Sequence, residues 1–563
     1  MTEAGQDYGA QVEAMAFLAG QDRGARHVAA THISFVTLTT RRAYKLKRAV
    51  AFPYLDFSTP ERRLAFCERE AALNRRLAPQ LYLGARRITR AADGALEFDG
   101  VGALVDAVVE MRRFEEGDLL ETRALAGRLD AATIETLATR LATFHAAAPP
   151  DANRGGAAAM RVVVANIVRS AEQSGLADTA QIEALRAALD GALAAQAERL
   201  DARRAAGKVR LCHGDLTLRN ICLFEGAPTP FDCLEFSDDL ATIDILYDLA
   251  FLLMDLVRVG RRDLASCALD RWLDAMSVQS LRECPLSSPP PLRGRGGGFG
   301  ASQTGVETSD AAACVPSPAE RGRDREGALT SYESDEAADL PLLPLFMAIR
   351  ASIRAHVAAS QDRRAEAATH LALAFDLLRP APTRIVAIGG FSGTGKSTLA
   401  ARLAPQIGAA PGARSLSSDR LRKRLFGVEA TQRLPAEAYA PEISRQVYEE
   451  MFLQAERVAG AGWSVVVDAV FDRREDRAEV EAIAQRCGLP FTGLWLEAAL
   501  ETRVGRVERR TNDPSDATRA VVELQGQRDP GPMNWARIDA GQGGERVAAA
   551  AALMLEAAPP AAG

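Results

Sequence analysis

Eight residues in the C-terminal third constrain the fold of this chain more than any other stretch. Residues 390–397 read GFSGTGKS and fit the pattern G-x-x-x-x-G-K-[ST]. The β-branched run RIVAI at 384–388 predicts a buried strand before them, and STLAARL at 397–403 predicts a helix after them. Strand, glycine loop and helix in this order are typical of a loop that binds phosphate through backbone N–H groups and a helix N-terminus.

The positions of this loop have distinct predicted roles. Its glycines let the backbone curl so that N–H groups point at phosphate oxygens. Lys396 is expected to reach the β- and γ-phosphates of ATP, and Ser397 to ligate Mg²⁺. The residues predicted to contact the nucleotide are Gly390, Ser392, Gly393, Thr394, Gly395, Lys396, Ser397 and Thr398.

Strand and helix patterns alternate after this loop and predict an α/β domain with a doubly wound parallel sheet. Further strands are predicted at 415–417, 463–468, 491–496 and 535–539. Ligands bind such sheets beyond the carboxyl ends of the strands, where Asp419 and Asp468 lie. Asp468 is therefore predicted to join the metal shell.

Three arginines of this domain are predicted to meet the substrates. Arg422 lies one helical turn after Asp419 and faces the same way. Arg506 and Arg510 stand four residues apart, next to a break at 512–516, which predicts a lid that clamps the transferring phosphate. Arg503, in the same stretch, is instead predicted to lie on a solvated face.

A second chemical cluster occurs earlier, at 211–220, where the sequence reads LCHGDLTLRN. Its spacing H-x-D-x-x-x-x-N is that of the protein-kinase catalytic loop. A hairpin is predicted next, with strands at 221–224 and 231–236 around a turn at 225–230. Because a hairpin brings its ends together, Asp215, Asn220 and Asp232 are expected to converge on an oxygen-rich Mg²⁺ site.

Lysines for the phosphates of this site come from a predicted strand at 43–50. Lys45 and Lys47 share one face of it because side chains alternate, so alternation does not separate them. We assign the role to Lys47 because its strand ends just after it. Glu70 lies within a predicted helix at 61–77, and Asp248, in an apolar helix, is expected to accept backbone N–H groups of the catalytic loop.

This part of the chain resembles the aminoglycoside phosphotransferase family, kinase-fold enzymes that phosphorylate hydroxyls of small molecules. The resemblance spans roughly residues 25–275 plus 338–375 and includes LATFHA at 141–146 and YDLA at 247–250. It implies a two-lobed α+β kinase-like domain. The implied roles are a base (Asp215), Mg²⁺ ligands (Asn220 and Asp232), a phosphate-binding lysine fixed by a glutamate (Lys47 and Glu70) and an adenine hinge around Met111.

The C-terminal domain is similar to the P-loop kinase group that includes polynucleotide kinase, zeta toxin and gluconate kinase. In that group the Asp after the second strand is the base for the acceptor hydroxyl, and the following Arg binds substrate. Carried over, these residues are Asp419 and Arg422.

Composition sets the domain organisation. The 563 residues are enough for two to four domains. We predict a first domain at 1–279 and 337–378, a P-loop domain at 379–563, and a disordered low-complexity insertion at 280–336, rich in Pro, Gly, Ser and Arg.

Charge, apolar runs and cysteines bound the partners and the location. A net charge of −6 argues against nucleic acid, and no apolar run reaches the ~18 residues of a membrane span. The N-terminus MTEAGQDYGA does not resemble a signal peptide, and the eight cysteines include no C-x-x-C pair. These features predict a protein of the reducing cytoplasm.

The sequence thus predicts two fused kinase domains that use ATP and Mg²⁺ to phosphorylate hydroxyls of small, sugar-like metabolites. Two alternatives stay open. One is a nucleotide-dependent regulator in which one or both domains bind ATP without transfer. The other is a nucleic-acid end kinase or a kinase of nucleotide sugars that uses the C-terminal domain. The oligomeric state is left open.

Overall fold

The structure of this chain is a computed structural model. It describes residues 3–22, 26–30, 33–52, 55–283, 336–511 and 513–557. Most of the predicted insertion, 284–335, lies outside the described residues, so its disorder stays a prediction. Its predicted edges were wrong: residues 280–283 continue a helix, and Glu336 is buried and pairs with Arg203 and Lys208.

An antiparallel sheet forms the smaller lobe of the N-terminal domain. Within the described residues its order is β1-β2-β3-β8-β6-β7, and β4 and β5 form a separate pair. The predicted helix at 61–77 is α2, which begins at the cap Thr59 and packs on β6 and β8. The elements are α1 (Glu3–Ala19), β1 (Arg26–Ala30), β2 (Ser34–Leu38), β3 (Arg42–Lys47), β4 (Ala51–Phe52), β5 (Leu55–Asp56), α2 (Pro60–Asn74), β6 (Tyr82–Arg90), β7 (Leu96–Phe98) and β8 (Ala103–Arg112).

Helices build the larger lobe around one apolar core. The central helix, α8, is mostly apolar and buried from Ile245 to Leu256. The segment after the insertion returns to this lobe, because α10 packs on α8, α5 and α11. The helices are α3 (Leu120–Leu125), α4 (Ala131–Ala147), α5 (Gly156–Ser174), α6 (Thr179–Ala205), α7 (Asp238–Ala241), α8 (Ile245–Arg258), α9 (Arg262–Glu283), α10 (Leu343–Ser360) and α11 (Arg364–Leu377).

One stretch, residues 336–360, is long and apolar enough to cross a membrane by length and composition alone. It comprises the 3₁₀ turn Glu336–Leu342 and α10. However, 72% of its apolar window is buried inside the protein. Its hydrophobicity is therefore accounted for by packing in the core of the helical lobe.

Four short strands frame the catalytic loop: β9 (Val209–Leu211), β10 (Ile221–Phe224), β11 (Ala227–Pro230) and β12 (Thr242–Asp244). β9 pairs with β12, and β10 pairs with β11. The return strand predicted at 231–236 was wrong. The turn comes earlier, at Glu225 and Gly226, whose φ angles of 51° and 82° suit a two-residue hairpin loop, so the return strand is β11.

The C-terminal domain is built on a parallel sheet, and the predicted α/β fold is confirmed. Its order is β14-β15-β13-β16-β17, with the P-loop strand β13 in the centre. Each strand predicted from the sequence is present, with ends shifted by one or two residues. The elements are β13 (Ile385–Gly389), α12 (Lys396–Leu403), β14 (Arg414–Ser417), α13 (Ser418–Leu425), α14 (Pro441–Gly460), β15 (Val465–Asp468), α15 (Arg474–Arg486), β16 (Phe491–Glu497), α16 (Leu500–Glu508), α17 (Arg519–Gly526), β17 (Ala536–Asp539) and α18 (Gly544–Ala557).

The two domains meet where α9 packs against β14 and α12. Arg414, with 3% of its side chain exposed, lies 2.8 Å from Asp270 and 2.5 Å from Asp274, both on α9. Burial opposes ionisation of Asp274, yet Arg414, Arg271 and Arg424 hold the pKa of this carboxyl well below its usual value. The contact between the domains therefore includes buried ion pairs beside apolar packing.

We expect Arg414→Met to lower the free energy of unfolding by about 3 kcal/mol, because it leaves two buried carboxylates without their main cation. Urea denaturation of the full-length protein measures this. The matched control is Arg379→Met, since Arg379 is 76% exposed, and it should change the value by less than about 0.5 kcal/mol. Equal stabilities of the two variants would contradict the importance of the Arg414 contact.

Candidate active sites in the two domains

The catalytic loop after β9 holds Asp215 and Asn220 against each other. The Asn220 side-chain amide donates to the Asp215 carboxylate at 2.8 Å and to its backbone carbonyl at 3.0 Å. The N–H₂ group of Asn220 is thus used on Asp215, which leaves its carbonyl oxygen as a possible metal ligand. One cavity is lined by Asp215, Asn220 and Asp232. Together these three side chains offer the oxygen donors that Mg²⁺ prefers.

A buried chain of hydrogen bonds fixes this loop from behind. Asp248 accepts the backbone N–H groups of His213 (3.2 Å) and Gly214 (2.9 Å), as predicted from the sequence. Its other partner is Nε2 of His145 at 3.1 Å, and the indole N–H of Trp272 donates to Nδ1 of His145 at 3.0 Å. These two hydrogen bonds fix the orientation of the His145 ring, with its Nε2 directed at the Asp248 carboxylate.

These hydrogen bonds decide the charge of Asp248. Burial opposes its ionisation, but the hydrogen bond from His145 and the neighbouring positive charges outweigh burial and lower its pKa to about 2. Cys212 lies close enough to His145 and Asp248 for the three to resemble a metal site. Hydrogen bonds to both ring nitrogens of His145 instead indicate a structural role for this group.

Five charged side chains meet where the two lobes join. Glu70 on α2 accepts from Lys47 at 2.6 Å and from Lys45 at 2.9 Å. Lys45 also pairs with Asp232, and Lys47 with Glu235. Burial raises the pKa of Glu235 and would raise that of Glu70, but the two lysines outweigh it at Glu70 and bring that pKa to about 2.

The geometry favours Lys45 rather than Lys47 as the phosphate-binding lysine, which revises the assignment made from the sequence. Lys45 lines the cavity and bridges Glu70 and Asp232. Lys47 is 1% exposed and is enclosed by Glu70, Glu235 and the Phe57 ring, 5.0 Å from its ammonium. The strand end, on which the choice of Lys47 rested, carries no information about depth below the surface.

Met111, the predicted adenine hinge, packs in an apolar cluster of the smaller lobe with Tyr82 and Cys222. It does not line the cavity that holds Asp215. Asp232 has a φ of 64°, a left-handed conformation that aspartate tolerates, and its N–H donates to the Tyr82 hydroxyl at 3.1 Å. The turn of the backbone at Asp232, rather than a strand, thus directs its carboxylate to Lys45.

The cavity of this domain has a volume of about 740 Å³ and lies between the lobes. One wall is the catalytic loop with the segment 232–236, and the others are α5, α8 and α10. Three arginines line it as well: Arg219, Arg350 and Arg354. Sequence reasoning missed these arginines as site residues, although two charges within the apolar helix α10 were an available signal.

In the C-terminal domain, residues 390–397 curl between β13 and α12. Gly390, Gly393 and Gly395 have φ angles of 140°, 86° and 95°, a region that favours glycine. A Cβ on Gly393 would lie 2.6 Å from the carbonyl oxygen of Arg503, so the loop needs glycine there for space as well. The Ser392 N–H donates to the Gln525 side chain at 2.8 Å, which anchors the loop to α17.

The parallel sheet brings the acidic residues of this domain to the P-loop. Asp468 pairs in register with Ile388 on one side and with Ser417 on the other, and Asp419 follows two residues after Ser417. Burial raises the pKa of Asp468, while Lys396 and a hydrogen bond with Ser397 act to lower it. Burial lowers the pKa of Lys396, against the charges of Asp468 and Asp419.

A smaller cavity of about 180 Å³ adjoins these residues. Ser397, Asp419 and Asp468 line it from the C-terminal domain. Its opposite wall comes from the N-terminal domain, mainly from α9. Thr398 is exposed on the first turn of α12. The second candidate site therefore opens toward the domain interface.

The predicted arginines of this domain are held by the protein itself. Arg506 donates to the carbonyls of Thr394 (3.2 Å) and Ala540 (2.7 Å), so it braces the P-loop from outside instead of forming a free clamp. Arg422 donates to the Ala438 carbonyl at 2.6 Å, and its guanidinium lies 4.7 Å from the centre of the Tyr439 ring. Burial lowers the pKa of Arg422, and the charge of Asp419 acts in the opposite direction.

The two remaining arginines of this stretch differ from each other. Arg503 was wrongly predicted to be solvated: it is 6% exposed, with its guanidinium 5.5 Å from the Phe391 ring. Arg510 lies 3.6 Å from Asp513, and its charge acts on Lys396 and Asp468. Of the two arginines predicted to form a lid, Arg506 is thus bonded to the P-loop backbone, whereas the charge of Arg510 acts on Lys396 and Asp468.

Comparisons with known proteins match the N-terminal and C-terminal parts of the chain to two different family models. The family model described as phosphotransferase enzyme family matches residues 5–279, and the model described as AAA domain matches residues 385–530. Both resemblances inferred from the sequence are thereby confirmed. Uncharacterised proteins of Mycobacterium tuberculosis and Mycobacterium bovis are 27% identical over 526 residues, 90% of this chain and 91% of the relative, a length that includes both domains.

Several solved structures match part of the chain. The GDP complex of aminoglycoside 2'-phosphotransferase-IIIa is 12% identical, covers 66% of this chain and 97% of its own, and has a TM-score of 0.34. The Mycobacterium tuberculosis APS kinase CysC, in complex with AMPPNP and APS, is 20% identical, covers 32% and 100%, and has a TM-score of 0.24. A gluconokinase from Sinorhizobium meliloti is 21% identical, covers 32% and 97%, and scores 0.22. Scores this low transfer no residue role to this chain.

The low pKa of Asp248 predicts a specific acid sensitivity. Its folded-state pKa of about 2 lies below the unperturbed value of 3.8, so its stabilising contribution is full above pH 4 and is lost as the pH falls toward 2. The shift corresponds to about 2 kcal/mol. The difference in unfolding free energy between wild type and Asp248→Asn should shrink by that amount between pH 5 and pH 2, as measured by urea denaturation. A constant difference would contradict the prediction.

Substitution of Lys45 should affect ATP binding, whereas substitution of Lys47 should affect stability. The Lys396→Ala background is used so that the P-loop no longer contributes to ATP binding. In this background Lys45→Met is expected to weaken ATP binding at least tenfold, because it removes the cation that faces the cavity. Lys47→Met should mainly lower the melting temperature, because it strips a buried partner from Glu235. Calorimetric titration with ATP and thermal melts measure both, with the exposed Arg62→Met as control. The reverse pattern would restore Lys47 to the phosphate-binding role.

Proposed function

We propose that this kinase, whose residues 5–279 match the phosphotransferase enzyme family and whose residues 385–530 match the AAA domain model, phosphorylates hydroxyl groups of small metabolites at two sites, with ATP as donor. The observation that carries the proposal is the convergence of Lys45, Asp215, Asn220 and Asp232 on one cavity. These residue types supply what phosphoryl transfer requires, namely a base, a phosphate-binding cation and oxygen ligands for a metal.

In the first site Asp215 accepts the proton of the acceptor hydroxyl. Its orientation is supported by the Asn220 amide and by the Asp248 anchor behind the loop. Lys45, held by Glu70, binds the phosphates. Asn220 and Asp232 would hold Mg²⁺, which neutralises charge on the phosphates.

In the second site the P-loop and Lys396 bind the phosphates, and Asp419 accepts the hydroxyl proton. Ser397 and Asp468 would hold Mg²⁺ there, and their hydrogen bond supports a shared role. The charge of Arg510 reaches Lys396 and supports a part in neutralising the transferred group. The nearby α9 wall of the small cavity favours a small acceptor over an oligonucleotide.

Two substitutions should separate the two activities. Asp215→Asn is expected to lower phosphate transfer by the first site about 10²–10⁴-fold, because it removes the general base. Lys396→Ala should abolish transfer by the second site and leave the first unchanged. Transfer from labelled ATP to a fractionated metabolite pool, run on the full-length protein, measures both. Asp362→Asn, an exposed carboxylate, is the control.

Each outcome of this screen is informative. If transfer to every acceptor survives both Asp215→Asn and Asp419→Asn, the assigned bases are wrong. If neither wild type nor control transfers phosphate to any fraction, but ATP still binds, the regulator alternative is favoured. Phosphorylation of a 5′-hydroxyl oligonucleotide that depends on Lys396 would favour the nucleic-acid alternative instead.

A further inference from the structure

One face of α10 forms a wall of the large cavity in the N-terminal domain. Its members recur at helical spacing: Phe346, Arg350, Ile353, Arg354 and Val357. The opposite wall is also apolar, with Met160 and Val163 of α5. Two arginines therefore stand, one turn apart, in a largely apolar chamber that also contains Asp215.

Arg350 is 5% exposed and held rigidly. Its Nε donates to the Tyr247 carbonyl at 3.3 Å, and its guanidinium lies 3.7 Å from the Tyr247 ring and 4.5 Å from the Phe251 ring. Its Nη2 has no hydrogen-bond partner within the described part of the chain. A buried donor left without an acceptor costs about 1–3 kcal/mol, so a ligand that brought an acceptor within reach of this nitrogen would gain that contribution.

Arg354, one turn further along α10, also lines the cavity and also has an Nη2 without an acceptor among the described residues. Its nearest carboxylate, Glu366, is 3.6 Å away. The charge of Asp215 acts on Arg354, which places this arginine near the proposed base. A ligand that contacts Arg354 could therefore present another of its groups to Asp215.

The acidic residues of the cavity are already neutralised. Among the described residues that line it, the carboxylates other than Asp215 each pair with a cation. The pairs are Asp232 with Lys45, Glu235 with Lys47, Asp239 with Arg154 and Asp244 with Arg203. A polycationic aminoglycoside would meet three arginines and few unpaired carboxylates, whereas an anion would meet complementary charge.

We propose that the acceptor of the N-terminal domain is a hydroxylated oxyanion with an apolar body, bound by Arg350 and Arg354 through its carboxylate or phosphate group. This rests on the proposed kinase function of the same site. In the reaction, the bond between the γ-phosphorus and the β,γ-bridging oxygen of ATP breaks, and its electron pair leaves with ADP. A new bond forms between that phosphorus and the acceptor oxygen, and the hydroxyl proton passes to the Asp215 carboxylate.

A pair of fluorescent probes tests the anion site without requiring phosphate transfer. 8-Anilinonaphthalene-1-sulfonate carries an apolar body and an oxyanion, and N-phenyl-1-naphthylamine has the same body without the charge. We expect the full-length protein to bind the sulfonate at least tenfold more tightly. Arg354→Gln, and Arg350→Gln with Arg354→Gln, should remove this preference and leave binding of the neutral probe within twofold.

The controls guard against surface binding and misfolding. Arg379→Gln makes the same charge change at an exposed position and should leave the preference intact. Equal affinities of wild type for the two probes would overturn the proposal, and so would a preference that survives in folded Arg354→Gln. Because the wild-type comparison and the single variant need no change at the stacked Arg350, a double variant that fails to fold does not rescue the proposal.

Acceptor pairs then separate this inference from the function on which it rests. In the Lys396→Ala background, 4-(hydroxymethyl)benzoate and 4-(hydroxymethyl)phenyl phosphate are compared with 4-(hydroxymethyl)benzamide. Phosphorylation of either acid at least tenfold above the amide supports the proposal and identifies the oxyanion. Phosphorylation of the amide at an equal or higher rate overturns it. The stated probe preference without transfer to any acceptor leaves the anion site standing and removes support for the kinase function of this domain.

Discussion

The candidate site of the N-terminal domain depends on the compensation of buried charge at the junction of its two lobes. Lys45 and Lys47 come from the sheet, Glu70 from α2, and Asp232 and Glu235 from the segment after β11. The buried members, Lys47, Glu70 and Glu235, do not tolerate burial without their partners, so the cluster fixes the sheet, the helix and the loop relative to one another. The same compensation directs the carboxylate of Asp232 toward the cavity that holds Asp215.

Much of the fold could be predicted because the local patterns were unambiguous. The strand RIVAI, the glycine loop and the following helix predicted the centre of the parallel sheet, and continuous apolar runs predicted its neighbours. The catalytic-loop spacing located Asp215 and Asn220. The burial of each lysine could not be predicted. Lys45 and Lys47 lie on the same face of their strand, and only contacts with α2 and Phe57 show that Lys47 is the more deeply buried of the two. Arg503 and Arg506 likewise gave no sign in sequence that their partners are a ring and backbone carbonyls distant along the chain.

Helix α9 links the supports of both candidate sites. Toward the N-terminal domain, Trp272 begins the hydrogen-bond chain through His145 and Asp248 to the catalytic loop. Toward the C-terminal domain, Asp270 and Asp274 hold Arg414, three residues before the carboxyl end of the strand that leads to Asp419. One helix therefore contacts the supports of both loops, through buried ion pairs and through an apolar cluster that contains residues of both domains.

The chamber wall formed by α10 is encoded 60 residues beyond Glu283, the last residue of α9, because the helix begins at Leu343. During synthesis the catalytic loop, the charge cluster and the hydrogen-bond chain have all emerged before this wall exists. A fragment cut at the end of the family match, residue 279, would keep the presumptive base and metal ligands but lose Arg350 and Arg354. Such a truncated protein would present its chamber to water on one side, and recombinant versions of this domain must extend through α11 to retain the two arginines proposed to bind the acceptor.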